Sequence, residues 1–360
     1  MDPIDRPGFP LATGGDPGMG PSDPLSGLFE AIERAPPEIE SANHYFRARY
    51  AIMTDPVRGP HARALMRYEI ALSGVPIAGA EVLDAGSGTG TYAVALAAMG
   101  ARRVVGVDRF AGHVAALRGV ARRFGLPIEA REGDVARMAE PAASFDLVYC
   151  REAISHFADW VGFVGECARL LRPGGAVVVS DGNNGANVLV RQRIHRMWLR
   201  SELGPFDLET FPPGRPLPYL FRRWMLIRRE LPGLPDEQVF RLGIGTATLG
   251  GRDLQEAVHQ YTQSGRLPVL RYRAGMSVRR PEDGQRTEEP VDPLDLARRW
   301  SALGLDARVH PHFGFGRGAV PRTLNAIAGR IPVLAARISP AYVVTARRPI
   351  RRLPAIPTAV

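Results

Sequence analysis

The run Val82-Leu83-Asp84-Ala85-Gly86-Ser87-Gly88-Thr89-Gly90 constrains this chain more than any other stretch. A short apolar strand over 81–85 enters a glycine-rich turn, and the turn opens an alanine-rich helix over 91–99. Glycine lets a ligand approach the backbone closely. The first turn of a helix offers N–H groups that have no partner inside the helix. The spacing is Gly-x-Gly-x-Gly. A dinucleotide fingerprint needs Gly-x-Gly-x-x-Gly, and Thr91 stands where its last glycine belongs. A dehydrogenase is therefore a poor match. An ordinary strand-to-helix turn is the plainer reading of the same residues.

The segments after the turn decide between a ligand site and a plain turn. Strands are expected at 103–107, 128–131, 145–150 and 176–180, with helices at 112–124 and 160–171 between them. Five strands alternating with helices imply an α/β fold with a parallel, doubly wound sheet covered on both faces. The rhythm stops over 184–290, where helical segments and prolines replace it. It returns with a helix near 295–303 and strands near 307–312 and 342–346. The expected organisation is a low-order tail over 1–37, a helical cap over 38–79, a core over 80–183 and 291–348, and a helical insertion over 184–290. The tail is argued from residues 1–27, which hold six prolines and six glycines. Such a stretch buries too little apolar surface to offset its ordering entropy.

Acidic residues sit at the right places for a ligand. Asp108 closes the second strand, where a carboxylate can accept from ribose hydroxyls or cap the next helix. Asp134 follows the third strand and suits either an amino group or a turn. Residues 151–157, Arg-Glu-Ala-Ile-Ser-His-Phe, leave the carboxyl end of the fourth strand. Open α/β sheets place ligands there.

Taken together, the Asp84–Gly90 turn, Asp108, Asp134, the 145–150 strand and Leu171-Arg172-Pro173-Gly174-Gly175 resemble a class I S-adenosylmethionine-dependent methyltransferase with a type 11-like core. The resemblance implies a seven-stranded, mostly parallel Rossmann-like sheet and S-adenosylmethionine as cofactor. It implies that Asp84, Ala85, Gly86, Ser87, Gly88 and Gly90 hold the methionine part. Asp108 would hold the ribose, and Arg109 and Phe110 would flank the adenine, with Asp134 and Val135 on its amino edge. Cys150 and Arg151 would approach the methionine carboxylate through backbone. The long chain between the fifth and sixth strands departs from the simplest members. In this family that region commonly shapes the acceptor site.

Methyl transfer from a sulfonium needs positioning and exclusion of water. An oxygen acceptor also needs its proton removed. His156 is the first candidate base, since imidazole titrates near neutrality. Glu152 is the second. A helix-capping histidine and a salt-bridged carboxylate are the plainer roles. Asp181 and Asn183 could orient an acceptor or form a turn, and Tyr45 and Tyr50 could lie over the cofactor or fill the core. No cluster has metal-ligand spacing, so no metal is expected, and Cys150 and Cys167 are too few for a disulfide scaffold.

Two insertion segments are amphipathic and basic. One sets Val190, Ile194, Met197 and Trp198 beside Arg191, Arg193, Arg196 and Arg200; the other sets Leu220, Trp224, Ile227 and Leu231 beside Arg222, Arg223, Arg228 and Arg229. They read as surface helices with solvated arginines, or as a lid over an acidic, phosphorylated or lipid-linked acceptor near a membrane surface. Trp198 is the substrate-side candidate there. The segment 281–293 reads as a polar surface loop.

The net charge of +9 permits an acidic partner without requiring one. No apolar run reaches the ~20 residues of a membrane span, and no secretory signal is seen, so the expected location is the cytoplasm. The leading expectation is methylation of a small molecule, natural product or glycan, with oxygen first among acceptor atoms. A nucleic-acid methyltransferase is the alternative enzyme. Residues 149–152 read Tyr-Cys-Arg-Glu instead of the Asn/Asp-Pro-Pro-aromatic tetrapeptide that many base-amino methyltransferases carry. A catalytically silent, cofactor-binding interaction protein is the alternative outside enzymes. The oligomeric state stays open.

Overall fold

The computed structural model describes residues 24–34, 44–204, 217–266, 278–282, 284, 287–313 and 319–350. Helices α1 (Pro24–Arg34), α2 (His44–Thr54) and α3 (Arg58–Ser73) precede the sheet. The alternating region then runs β1 (Glu81–Ala85), α4 (Thr91–Ala98), β2 (Arg103–Asp108), α5 (Ala111–Phe124), β3 (Ile128–Glu132), β4 (Phe145–Arg151), α6 (Trp160–Leu170) and β5 (Leu171–Gly182). The insertion holds α7 (Val188–Leu203), α8 (Tyr219–Glu230), α9 (Asp236–Gly245) and α10 (Arg252–Ser264). The chain returns through α11 (Pro293–Ala302), β6 (Asp306–His312), α12 (Ala319–Arg330), α13 (Pro332–Ile338) and β7 (Ala341–Arg347).

The strands form one seven-stranded sheet in the order β3-β2-β1-β4-β5-β7-β6. The first five are parallel, and β7 runs antiparallel between β5 and β6. Alternation along each strand feeds two cores. Val82, Val104 and Leu147 face one side with Leu96 and Leu117, while Leu83, Val105 and Val148 face the other with Phe163 and Trp300. Strands buried on both faces need continuous apolar runs, which is why they were legible. The chain leaves β1 toward β2 and β3, then crosses back to β4 and β5. The strand order therefore reverses between β1 and β4, and ligands of open sheets sit outside the carboxyl ends at such a reversal.

The boundary expected for the tail is corrected by α1. Leu25, Phe29 and Ile32 recur at helical spacing and are buried in the first core with Phe46, Tyr50, Met53 and Met66. Pro24 opens that helix, where a missing N–H costs nothing. The apolar stripe that opens at Leu25 lies inside the span drawn as tail, and the core covers it. Residues 1–23 and 35–43 lie outside the described residues.

The insertion has a small core of its own, built from Ile227, Val239, Leu242, Leu254 and Val258. The solvated-arginine reading of α8 is corrected at Arg223, while Arg222 and Arg228 form surface ion pairs. Arg223 is fully buried and donates to both carboxylate oxygens of Glu202, at 2.5 and 3.3 Å. Arg222 pairs with Glu282 and Arg228 with Asp236. Helices α12 and α13, which the sequence pattern did not reveal, connect β6 to β7.

Candidate active site

The glycine turn is pinned to its neighbours. Gly86 and Ser87 donate through their backbone N–H to Val107 O at 2.9 and 3.0 Å. Gly88 N–H donates to Asp108 Oδ2 at 2.9 Å, and Phe110 N–H donates to Asp108 Oδ1 at 2.9 Å. Gly86 and Gly90 have positive φ, 76° and 92°. A Cβ on Gly86 would lie 2.6 Å from Ala153 Cβ, and one on Gly90 would lie 2.2 Å from Leu117 Cδ1. Both positions therefore require glycine for conformation and for space.

Among the described residues, three buried polar atoms in this turn have no hydrogen-bond partner: Asp84 Oδ2, Ser87 Oγ and Thr89 Oγ1. Each such atom costs about 1–3 kcal/mol when unsatisfied. Burial pushes the Asp84 carboxyl up to about 7; a hydrogen bond from Ala93 N–H opposes the shift and the neighbouring Asp108 adds to it. A desolvated acid beside two unsatisfied hydroxyls is an arrangement that a polar, cationic ligand would complete.

Beyond β4 the chain turns sharply at Glu152, which has φ 51°. Arg49 on α2 reaches the Glu152 carboxylate at 3.2 Å, and Arg151 lies 3.8 Å from it. Arg151 is buried. It bonds Glu69 and the Tyr92 hydroxyl, and its guanidinium lies 5.0 Å above the Tyr92 ring. Glu69, fully buried on α3, also accepts from Tyr149 Oη at 2.5 Å and Ser180 Oγ at 2.7 Å. This network joins α3 to β4 and β5 directly below the rim.

A single 3-10 turn, Ile154–His156, comes next. His156 Nδ1 lies 2.6 Å from Thr287 O. A carbonyl only accepts, so Nδ1 carries the proton and Nε2 is the basic nitrogen of the neutral ring. Glu289 N–H donates to Ser155 O at 2.5 Å, and Asn184 bonds both Glu289 O and Val291 N. At the other end of this segment the Arg280 guanidinium stacks 4.7 Å from the Phe110 ring centroid. Of the segment expected as a surface loop, residues 287–293 instead form a strap across the rim, with Glu288 and Val291 buried; residues 283, 285 and 286 lie outside the described residues. Polar composition suggested a loop, but Thr287 O, the Glu289 backbone and Val291 N–H find partners far away in sequence.

Residues 83–179 match the model of the methyltransferase domain family. Over 137 residues the chain is 34% identical to a ubiquinone biosynthesis O-methyltransferase of Methylocella silvestris, covering 36% of this chain and 53% of that protein. It is 42% identical over 106 residues to a probable S-adenosylmethionine-dependent methyltransferase of Mycolicibacterium smegmatis, covering 29% and 39%. Residues 83–179 of this chain thus match a methyltransferase domain. The chain spans only 53% and 39% of those two relatives. An S-adenosylmethionine-dependent methyltransferase from Mesorhizobium loti overlays 82% of this chain and 100% of its own, at 16% identity and a TM-score of 0.41.

The expected residues separate into those at the rim and those that hold the fold. Asp84, Ala85, Gly86, Ser87, Gly88, Gly90 and Asp108 form one cradle. Arg109 and Phe110 are exposed beside it, and Asp134 is exposed with its Oδ1 accepting from Ala136 N–H at 3.0 Å, while Val135 is buried. Cys150 is a core residue of β4, and burial pushes its thiol well up. Tyr50 is buried, stacks on Phe46 at 4.3 Å and donates to Thr89 O at 3.1 Å, so it braces the turn from below. Tyr45 lies in α2, and its side chain is outside the described residues. Asp181 is buried and accepts from Ser155 N–H and Gly182 N–H, which fixes the His156 turn.

Asn183 is corrected from an acceptor ligand to a structural residue. It is fully buried, donates to Ala336 O and Ser339 O at 2.7 and 2.8 Å, and accepts from Ala186 N–H at 3.3 Å. Trp198 is buried in α7, edge-on to His195. Glu69, Arg49, Ser180, Arg280 and Thr287 were missed. Only Glu69 left a signal, a carboxylate between Met66 and Ile70 on a buried helix face.

Proposed function

We propose that this chain moves a methyl group from S-adenosylmethionine to an oxygen of a small-molecule acceptor. The trio of unsatisfied buried atoms in the Asp84–Thr89 turn carries this reading. When bound, S-adenosylmethionine supplies an electrophilic methyl on a sulfonium. The chain's residues hold and orient. Asp84 and the turn amides take the methionine part, Asp108 the ribose, and Arg109 and Phe110 the adenine, with Asp134 and Val135 on its amino edge. The strap and the insertion exclude water from the rim. His156, held by Thr287 O and the turn that Asp181 fixes, accepts the acceptor's hydroxyl proton at Nε2. Glu152 is engaged by two guanidiniums and is assigned a positioning role instead. The relatives named O-methyltransferases support oxygen as the acceptor atom.

Asp108→Ala should weaken donor binding by about 1–3 kcal/mol, read by calorimetry on the folded variant. Unchanged affinity removes Asp108 from the site. The acceptor class is tested by incubating the protein with methyl-deuterated donor and cell extract. A labelled oxygen ether or ester supports the reading, and a label on nucleic acid contradicts it.

A further inference from the structure

Among the described residues, helices α12 and α13 leave an apolar face uncovered. Leu324, Ile327, Ile331, Val333, Leu334 and Ile338 are between 39% and 65% exposed. Soluble surfaces scatter such residues singly, whereas a contiguous set marks an interaction site. The first turn of α7 adjoins this face, because Asn187 Nδ2 donates to Ile338 O at 2.8 Å and Ser339 O at 3.1 Å. It adds Val188 and Leu189, the latter 76% exposed.

The helices that carry the face are basic. Arg330 and Arg337 on α12 and α13, and Arg193, Arg196 and Arg200 on α7, are exposed, and neither 319–338 nor 188–200 holds an acidic residue. Within this set, Arg337 pairs with Asp292 from a neighbouring helix at 3.0 Å.

Its place in the fold is set by strand register. Gly182 at the end of β5 pairs with Ala341 at the start of β7, and Ala341 pairs with His312 at the end of β6. The α12–α13 connection therefore crosses the same carboxyl rim that holds the candidate site. Asn183 ties α13 to that rim.

We propose that this face docks on an anionic phospholipid bilayer, seating its apolar residues at the headgroup boundary and its arginines on lipid phosphates. Among the described residues no helix is long and apolar enough to cross a membrane. An amphipathic surface of this kind lies on the bilayer, held by buried apolar area and by attraction to acidic lipid. A second copy is a poor occupant, since a self-paired face would set arginine against arginine. Docking through this rim presents the acceptor site to molecules dissolved in the lipid, which deepens the reading of a small-molecule acceptor without depending on it.

The test is flotation of the full chain with phosphatidylglycerol–phosphatidylcholine vesicles and with phosphatidylcholine vesicles alone. The expected result is binding to the first only, weakened by high salt. A Val333→Glu, Leu334→Glu double variant should lower that binding at least about tenfold. Both side chains are exposed, so its melting temperature and its affinity for S-adenosylhomocysteine should match the unmodified protein. Three results overturn the proposal: no binding to anionic vesicles, equal binding to neutral ones, or equal binding by the variant. A dimer seen by light scattering and dissolved by the variant also overturns it, by making a second copy the occupant. Loss of cofactor binding in the unmodified protein would instead count against the methyltransferase reading.

Discussion

His156→Ala is expected to lower turnover about 10²- to 10⁴-fold, the range that a positioned general base contributes. The ring sits on the turn that leaves β4 at the rim, one residue past Ser155, whose N–H is held by Asp181 and whose carbonyl is held by Glu289. Thr287 O fixes the tautomer that leaves Nε2 basic. Removing the ring leaves the Asp84–Gly90 cradle untouched, so donor affinity should stay nearly constant while kcat falls. The limb of the pH–rate profile that an imidazole base produces should vanish with it. A variant that turns over at the normal rate, with the normal pH profile, would return His156 to a structural role.

The second large effect concerns folding. Glu69→Ala should destabilise the protein by about 3–5 kcal/mol, the usual cost of removing one partner from a buried ion pair. It strips Arg151 of a buried carboxylate and leaves Tyr149 Oη and Ser180 Oγ without their acceptor. Replacing the pair together, Glu69→Leu with Arg151→Met, should cost clearly less than the sum of the single changes. Denaturant unfolding of the four proteins measures this directly. Additive losses would show that the two side chains do not act as a unit.

The fold was legible where burial imposes a local pattern. The parallel strands are apolar throughout because helices cover both faces of the sheet, and the glycine turn is legible because only glycine fits positive φ against Ala153 and Leu117. Helices α12 and α13 were not legible, because their large apolar residues point outward and give no period directed at a core. The Arg223–Glu202 pair was hidden for the opposite reason: a charged residue on a basic helix looks solvated until a partner from another helix is seen. In the site, the cofactor cradle is one contiguous motif and two strand ends, so sequence alone outlines it. The Glu69 network spans separations of 80 to 111 residues, and the His156–Thr287 bond spans 131. No local spacing encodes such contacts. Asn183 shows the converse error, since a polar residue at a strand end reads as a ligand until its three long-range bonds to the β7 approach are found.

Every catalytic role proposed above rests on the Asp84–Gly90 cradle holding an adenosyl sulfonium. Asp84 has a carboxyl raised by burial to about 7 in the folded chain. A cationic ligand favours its ionised form, so below that value binding must release a proton. Calorimetric titration of the folded protein with S-adenosylmethionine and with S-adenosylhomocysteine, at about pH 6 and about pH 7.5, reads both effects. The expected result is one-to-one association with each, and for S-adenosylmethionine several-fold tighter binding at the higher pH, with proton release at the lower. Absence of association with either compound at both pH values would contradict it.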